Sequence, residues 1–303
     1  MCATFGRSRF NPTYETLQFL FSNSRFFKLT LYTIFRTKSR NTIMNRYPTL
    51  EHQRAAEAIV EFFTTIPEIE AVCLICSCAR GKASRDSCLD ILVLGRPEIM
   101  STAQADIQKI WDEFYTTDPI FQKLAAVGKY AHVDLEFSDG HFEPTEHSWV
   151  GGPDEFELVI GNYLVYSVPL HQKGNYFGEL KAKWLPYYDE SLRHDRLSMV
   201  RKYCLNNLNH IPLYIDRGLH FQCFNRFYDA FREFLQALFI ARHTYPIAYD
   251  KWIQEQIVEI LGLPELYERL PRLFEIHNFE SHEISDKANT LKSLLDEYAP
   301  ISS

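Results

Sequence analysis

Residues 73–94 read CLICSCARGKASRDSCLDILVL, and this stretch decides which folds the chain can form. Two apolar runs, 70–76 and 89–94, predict buried strands, and the small polar residues between them predict a turn that opens a short helix. Free N–H groups at such a helix start attract phosphate, and the helix dipole adds positive potential. Asp90 stands at the mouth of the second strand, where a carboxylate can hold Mg²⁺ against that phosphate. The stretch therefore predicts a strand–turn–strand unit suited to a metal-bound phosphate.

The residues on both sides of this stretch predict a first half that mixes helices and strands. Residues 50–66 carry apolar side chains at helical spacing, and Ser101 offers an N-cap for a second long helix. A short helix is predicted at 121–126, and strands at 131–137 and 156–168. The first of these strands alternates, so its side chains face two ways. One face carries Val133, Leu135 and Phe137, and the other, which we interpret as solvated, carries His132, Asp134 and Glu136.

The second half of the chain is predicted to be helical. Its main signal is an apolar stripe within 219–243, at spacings of three and four residues. The stripe consists of Phe224, Phe227, Phe231, Phe234 and Leu238. Further helical patterns cover 249–261, 264–276 and 284–298. The sequence thus predicts an α+β architecture, with a mixed-sheet core and helices at 44–183 followed by an all-α helical domain at 184–303.

Residues 1–43 differ from the rest in charge and are predicted to lie outside the fold. They hold seven Lys and Arg side chains against one acid, Glu15, and they are rich in Ser and Thr. This is the composition of an organellar transit peptide, and an upstream extension before a true start at Met44 explains it equally well. The rest of the chain is strongly acidic, because the whole carries a net charge of −7.

Charge and cysteine content restrict the partners and the compartment. A body this acidic repels a phosphate backbone, so nucleic acid is not expected as a partner. Seven cysteines, an odd number in a chain this long, indicate reduced thiols and a cytoplasmic protein. The Cys-x2-Cys-x-Cys spacing runs along a strand, where alternate sulfurs point apart, so we do not expect a structural zinc site there. No apolar run reaches the ~18 residues that a membrane span needs.

The opening stretch resembles the nucleotidyltransferase superfamily, which includes the aminoglycoside, lincosamide and minimal nucleotidyltransferases. The pattern of that family is an apolar strand, Gly-Ser, a spacer, Asp-x-Asp in a second strand and a third acid on a later strand. The matching positions here are Ser77 for the serine, Arg80-Gly81 for a frequent Arg-Gly, Ser87 before the paired acids, Asp90 for the second acid and Asp134 for the third. The predicted order of elements over 47–137 matches as well. The helical half, with residues 242–246 and Lys251-Trp252, is similar to the helical domain of bacterial members.

Two positions depart from that pattern. Cys76 replaces the glycine of Gly-Ser, where a Cβ and a sulfur narrow the approach to phosphate. Cys88 replaces the first acid of Asp-x-Asp, and a thiol is a soft ligand whereas Mg²⁺ prefers carboxylate oxygen. Asp86, two residues upstream, or Glu136, on the strand face of Asp134, could supply the missing carboxylate.

The resemblance implies transfer of a nucleoside monophosphate from ATP or another nucleoside triphosphate, with Mg²⁺ as cofactor, to a hydroxyl of a small-molecule or protein acceptor. Asp90 and Asp134 would be catalytic and would hold the metal. The nucleotide-binding residues would be Ser77, Arg80, Gly81, Lys82 and Ser87. Apart from the resemblance, Arg226 and Lys251 of the helical half are candidates to reach phosphates or the substrate, and ordinary exposed helix cations are the alternative interpretation. Loss of the first acid leaves a second interpretation open, a catalytically impaired homologue that binds a nucleotide or a partner.

Overall fold

The computed structural model describes residues 46–145 and 152–301, so the predictions for residues 1–43 lie outside the described part. Four strands of the described part form one mixed sheet. They are β1 Ile69–Leu74, β2 Leu89–Gly95, β3 Val133–Ser138 and β4 Val168–Gln172. Their order across the sheet is β3-β2-β1-β4. β1 runs antiparallel to both β2 and β4, whereas β2 and β3 are parallel.

Helices cover both faces of this sheet. They are α1 Leu50–Thr64, α2 Cys76–Ala79, α3 Pro97–Thr117, α4 Pro119–Ala125, α5 Phe156–Ile160 and α6 Tyr176–Trp184. On one face α1 and α3 pack through Phe63 and Trp111, and on the other α5 and α6 pack through Ile160 and Leu180. Because both faces are covered, the central strands β1 and β2 carry apolar side chains almost throughout.

The C-terminal half is helical, as its apolar stripe predicted. Its elements are α7 Glu190–Ile215, α8 His220–Ala241, a π-helical turn Glu255–Ile260, α9 Pro264–Arg269, a 3-10 turn Pro271–Phe274 and α10 Glu283–Tyr298. Phe227, Phe234 and Leu238 of α8 are fully buried in the core that α8 forms with α7 and α10. The predicted architecture, a mixed α/β half followed by a helical region, is confirmed. The predicted division between residues 183 and 184 falls at the end of α6 and stays a prediction.

The strand predicted at 156–168 is wrong. This segment forms α5 and a π-helical turn at Gly161–Val165, and β4 begins only at Val168. The buried residues recur every four positions, which is a helical spacing, and they are Phe156, Ile160 and Leu164. A continuous apolar run does not by itself distinguish a buried strand from a buried helix, and this ambiguity explains the error.

Two other helical predictions need new boundaries. The helix expected after Ser101 begins at Pro97, because proline fits the first helical position, where its missing N–H would be unpaired in any case. The helix expected over 249–261 is shorter: it consists of residues 253–254 and the π-helical turn Glu255–Ile260. An irregular loop at 244–252 precedes this helical segment. Among the described helices, none combines the length and the apolar character that a membrane span requires.

A buried ion cluster joins the first half to the second. Arg196 of α7 lies between two acids, with Nε 2.5 Å from Glu157 Oε1 and Nη2 2.7 Å from Asp154 Oδ1. Gln236 of α8 donates to Glu157 Oε2 at 2.9 Å, and Tyr188 donates to Glu157 Oε1 at 2.8 Å. The Arg196 side chain is 3% exposed, and that of Glu157 is 0% exposed. These contacts tie α5 to α7 and α8 and so position the helical region beside the sheet.

Candidate functional site

Asp90 and Asp134 lie side by side on neighbouring strands. β2 and β3 are parallel, and their register places Asp90 opposite Asp134. Cys88 directs its sulfur to the same place, with Sγ 3.4 Å from both carboxylate oxygens of Asp90. One ligand atom from each of these three residues lies within 4.8 Å of the other two. The structure thus brings together two acids that are far apart in the chain, and it adds a thiol to them.

The acids and the thiol alter one another's protonation. Burial raises the pKa of Asp90 to about 6, the hydrogen bond from Cys88 opposes this rise, and the negative charge of Asp134 adds to it. Burial and the charge of Asp90 raise the pKa of the Cys88 thiol far above its usual value. Without a cation Cys88 is therefore a neutral thiol that donates to Asp90. His132 Nε2 lies 3.1 Å from Asp134 Oδ1 and contacts the more exposed carboxylate of the pair.

The turn after β1 adopts the backbone conformation that glycine favours. α2 starts at Cys76, whose φ of 55° lies in the left-handed region. That region costs a residue with a Cβ about 1 kcal/mol or more, whereas glycine enters it freely. The turn is anchored on β2, because Ile75 N donates to Asp90 O at 3.1 Å. The strained residue is therefore held in place by the same strand that carries the acid.

The left-handed Cys76 leads to a prediction about stability. We expect Cys76→Gly to be more stable than Cys76→Ala by about 0.5–1 kcal/mol, because both remove the thiol but only alanine keeps a Cβ in the left-handed region. Chemical denaturation of the two variants measures the difference. The matched pair Cys78→Gly and Cys78→Ala, within the same helix, should show the usual opposite order. Equal stabilities at position 76, or a preference for alanine there, would contradict the strained backbone.

A cleft of about 660 Å³ opens beside Asp90 and Cys88, and both halves of the chain line it. The first half contributes Ser77 and Asp90 among others, and the second half contributes Lys251 and Trp252. The positive charge of Lys251 opposes the rise in the pKa of Asp90, so the two groups interact. The size is within the range of small-molecule sites. The structure therefore places Lys251, which the sequence analysis proposed for the substrate, in the cleft with Asp90.

Arg226, the other residue expected to reach a substrate, lies elsewhere. It is buried in α8, and its Nη1 donates to Asn207 Oδ1 of α7 at 2.6 Å. It is not among the residues that line the cleft. Its neighbour Phe227 belongs to the apolar stripe, so this part of α8 packs against α7 rather than facing the cleft. The structure thus gives Arg226 a packing role within the helical region.

The two cations of the turn are paired with acids of the second half. Arg80 Nε lies 3.1 Å from Glu255 Oε1, and the guanidinium lies 5.1 Å from the centroid of the Trp252 ring. Lys82 Nζ lies 3.2 Å from a Glu259 carboxylate oxygen at the surface. The Arg80 side chain is 7% exposed, yet its Nη2 has no hydrogen-bond partner among the described residues. Arg80 therefore lines the cleft and has one buried donor without a partner, whereas Lys82 is engaged outside the cleft.

Gly81 and Ser87, both expected to bind the nucleotide, shape the loop between β1 and β2. Gly81 has a φ of 70°, and a Cβ there would meet no atom within 4 Å, so the backbone conformation rather than close packing calls for glycine. Ser87 Oγ accepts from Ser84 N at 2.9 Å, and the Ser87 carbonyl oxygen accepts from the buried His52 at 2.9 Å. Ser87 also lines the cleft. The structure therefore shows a loop role for both residues and a cleft position for Ser87.

Neither candidate for the missing carboxylate joins the cluster. Asp86 Oδ1 accepts from Lys129 N at 3.1 Å, which holds it at the rim of the cleft. Glu136 accepts a hydrogen bond from the Tyr163 hydroxyl. Within residues 46–145 and 152–301, the group with metal-ligand geometry contains only Cys88, Asp90 and Asp134. The sulfur of Cys88 therefore stands beside the two carboxylates in place of a third carboxylate.

The loop that carries Lys251 into the cleft is held by residues that the sequence analysis missed. Gln256, buried in the π-helical turn, accepts from Ile247 N at 2.7 Å and donates to Ala248 O at 2.8 Å and Lys251 O at 3.0 Å. Asn162, from the first half, donates to Ile247 O at 3.0 Å. The sequence did contain one signal, the polar Gln256 inside an apolar pattern. This signal does not show which backbone groups the side-chain amide binds. Only the fold identifies the loop as its partner.

The donor atoms of the cluster provide a test of the expected Mg²⁺. Mg²⁺ is a hard ion that takes oxygen ligands, and Asp90 and Asp134 offer them. Cys88 offers a soft sulfur where the resemblance expects a carboxylate. The set of three therefore does not fit Mg²⁺ as a resident ion, although the two carboxylates can face a cation that arrives with a nucleotide.

Comparisons with known proteins show a distant structural likeness and no match of sequence. No protein-family model matches the chain, and no curated protein matches it. Among solved structures the chain is similar to a nucleotidyltransferase-like protein from Exiguobacterium sibiricum 255-15, with a TM-score of 0.41 and 13% sequence identity. The match covers 82% of this chain and 75% of that one. A likeness at this level leaves the function to be argued from the geometry of the cleft.

Proposed function

We propose that the protein binds a nucleoside triphosphate with its divalent cation in the cleft, and transfers the nucleoside monophosphate to a hydroxyl of a small-molecule or protein acceptor. The observation that carries this proposal is the convergence of Asp90 and Asp134, which are in register on parallel strands, together with the cleft that Asp90 shares with the Ser77 turn. Transfer at phosphorus depends mostly on positioning and charge neutralisation, and these groups suit both tasks. The six described cysteines are free thiols, which suits a cytoplasmic protein.

Each group in the cleft has a part in this proposal. The Ser77 hydroxyl binds the triphosphate, and Arg80 and Lys251 neutralise it. Asp90 and Asp134 face the cation that accompanies the nucleotide. In the transfer, the acceptor oxygen bonds to the α-phosphorus and the bond to pyrophosphate breaks. The hydroxyl proton passes to Asp134, the more exposed of the two carboxylates.

A second interpretation is a catalytically impaired homologue that binds a nucleotide or a partner without transfer. Cys88 favours it, because a neutral thiol donates to Asp90 where a third negative group would help to gather cations. The pairing of Lys82 with Glu259 also favours it, because this cation is engaged before any phosphate arrives. Such a protein still binds a nucleotide, so binding and turnover have to be measured separately.

Titration calorimetry with ATP and Mg²⁺, combined with a pyrophosphate-release assay across hydroxyl acceptors, separates the two interpretations. We expect the wild-type protein to bind ATP. We expect Cys88→Asp to release pyrophosphate at least about tenfold faster, because a third carboxylate stabilises the charge of the transition state. Cys88→Ser is the matched control, since it removes the thiol without adding a carboxylate and should gain nothing.

The possible outcomes of these measurements are distinct. ATP binding without release, in both the wild-type protein and Cys88→Asp, would replace transfer by the second interpretation. Absence of ATP binding in both proteins would overturn nucleotide recognition altogether. Equal gains in Cys88→Asp and Cys88→Ser would show that the thiol hinders the site but that the added charge does not help.

A further inference from the structure

We propose that Cys88, Asp90 and Asp134 form a binding site for a thiophilic divalent cation, with Zn²⁺ as the ion that suits them best. The proposal starts from the donor atoms, one sulfur and two carboxylate oxygens, which converge on one place. Zn²⁺ binds thiolate and carboxylate ligands together, whereas Mg²⁺ takes oxygen alone. Cys88, which replaces the first acid of the Asp-x-Asp pattern, would therefore make the site prefer Zn²⁺ over Mg²⁺.

The distances within the cluster fit a shared ion. Cys88 Sγ lies 3.4 Å from each carboxylate oxygen of Asp90. Two ligands on a tetrahedral zinc, with bonds of about 2.3 Å to sulfur and about 2.0 Å to oxygen, stand about 3.5 Å apart. The sulfur and the Asp90 carboxylate are therefore already spaced as two ligands of one ion. Binding replaces the thiol proton by the metal and releases that proton to solvent.

Asp134 supplies the third of the three proposed protein ligands. All three ligand atoms lie within 4.8 Å of one another, and the Asp134 side chain is about half exposed, so a rotation of this side chain can close the remaining distance. His132 Nε2 contacts Oδ1 of Asp134 at 3.1 Å and leaves Oδ2 for the ion. Contacts of this kind orient ligand carboxylates in metal sites.

A cation of the same cleft is suited to an anionic ligand of the metal. Arg80 lines the cleft with Cys88 and Asp90, its side chain is 7% exposed, and its Nη2 has no partner among the described residues. An arginine guanidinium in a cleft beside a metal site can neutralise an anion that the metal binds. Three protein ligands leave the fourth tetrahedral position open, and a phosphate oxygen or a water can occupy it.

This site differs from a structural zinc site built on the cysteine-rich strand. Cys78 donates its thiol to the Cys88 carbonyl oxygen at 3.6 Å, and it is fully buried. Neither Cys76 nor Cys78 belongs to the cluster in the described residues. Metal binding at this site also needs no nucleotide, so it can be tested independently of the proposed transfer reaction.

The test uses the full-length, metal-free protein titrated separately with Zn²⁺, Mg²⁺ and Co²⁺, in the absence of nucleotide. We expect one equivalent of Zn²⁺ to bind at least about 100-fold more tightly than Mg²⁺. We expect Co²⁺ to produce a near-ultraviolet sulfur-to-cobalt charge-transfer band that Zn²⁺ removes. In Cys88→Ser the band should disappear and the affinity for Zn²⁺ should fall by about tenfold or more.

Two variants keep this experiment decisive. Cys76→Ser removes a thiol that lines the same cleft and should retain the cobalt band. Cys88→Asp should lose the band and should bind Mg²⁺ more tightly relative to Zn²⁺ than the wild-type protein does. This result would show that the variant is folded and that residue 88 still binds metal. A wild-type protein without the band, a band unchanged in Cys88→Ser, or a band lost equally in Cys76→Ser would each overturn the site. ATP binding, measured separately, reports on the proposed function and not on this one.

Discussion

Arg196→Met is expected to lower the free energy of unfolding by about 3–5 kcal/mol. The substitution removes the cation that lies between Asp154 and Glu157, and it leaves two buried carboxylates without a counter-charge. Tyr188 and Gln236 still donate to Glu157, but neutral donors do not balance its charge. Guanidinium denaturation followed by circular dichroism measures the loss.

Two further variants identify the cause of that loss. Arg193→Met, on the same helix, breaks a pair with the exposed Glu190 and should cost no more than about 1 kcal/mol. The double variant Arg196→Met/Glu157→Gln should recover part of the stability, because it removes one of the unpaired charges. A loss below about 1 kcal/mol in the single variant would mean that the cluster does not stabilise the junction. A double variant that recovers nothing would point to lost packing instead of unpaired charge.

Asp90→Asn is expected to reduce pyrophosphate release by about 10³-fold if the protein performs the proposed transfer. Asparagine keeps the size and one acceptor oxygen of the side chain, but it removes the charge that faces the cation of the nucleotide. The effect should appear in the rate at saturating ATP, because the carboxylate acts most strongly on the transition state. Steady-state release with the best acceptor provides the measurement.

Asp86→Asn is the matched control for this prediction. It makes the same change of charge on a residue that also lines the cleft, but Asp86 is bound to Lys129 N and stands outside the cluster. Its asparagine can still accept that hydrogen bond, so the loop should remain intact. We expect a change in rate of less than about tenfold. Comparable losses in the two variants would mean that total charge around the cleft, and not the position of Asp90, controls the reaction.

Backbone strain in the described residues concentrates around this cleft. Among the described residues, three that are not glycine have a left-handed φ, namely Cys76, Trp252 and His243. Cys76 and Trp252 both line the cleft, one from each half of the chain. Such conformations persist only where the surroundings hold them, and they are often found at functional sites. Here the sheet holds Cys76 beside Asp90, and Gln256 holds the loop that ends in Trp252.

Much of the fold could be predicted because its signals are local. The apolar runs that predicted β1 and β2, and the stripe that predicted α8, depend on residues within a few positions of one another. The segment 156–168 could not be assigned in the same way, because an apolar run buried on several sides satisfies both a helix and a strand. Its helical state is decided by packing against the sheet, through Ile160.

The order of residues along the chain was enough to predict that Ser77 lies in a turn after one strand and that Asp90 and Asp134 lie on two later strands. Three features follow from the tertiary structure and not from local sequence: the Cys88 thiol donates a hydrogen bond to Asp90, Lys251 enters the cleft, and Arg226 does not. The physical reason for this difference is that the spacing of apolar residues along a segment depends on how that segment packs against a core. Contacts between distant side chains depend instead on strand register and on how the helical half is held against the sheet, here by Arg196, Glu157 and Gln256.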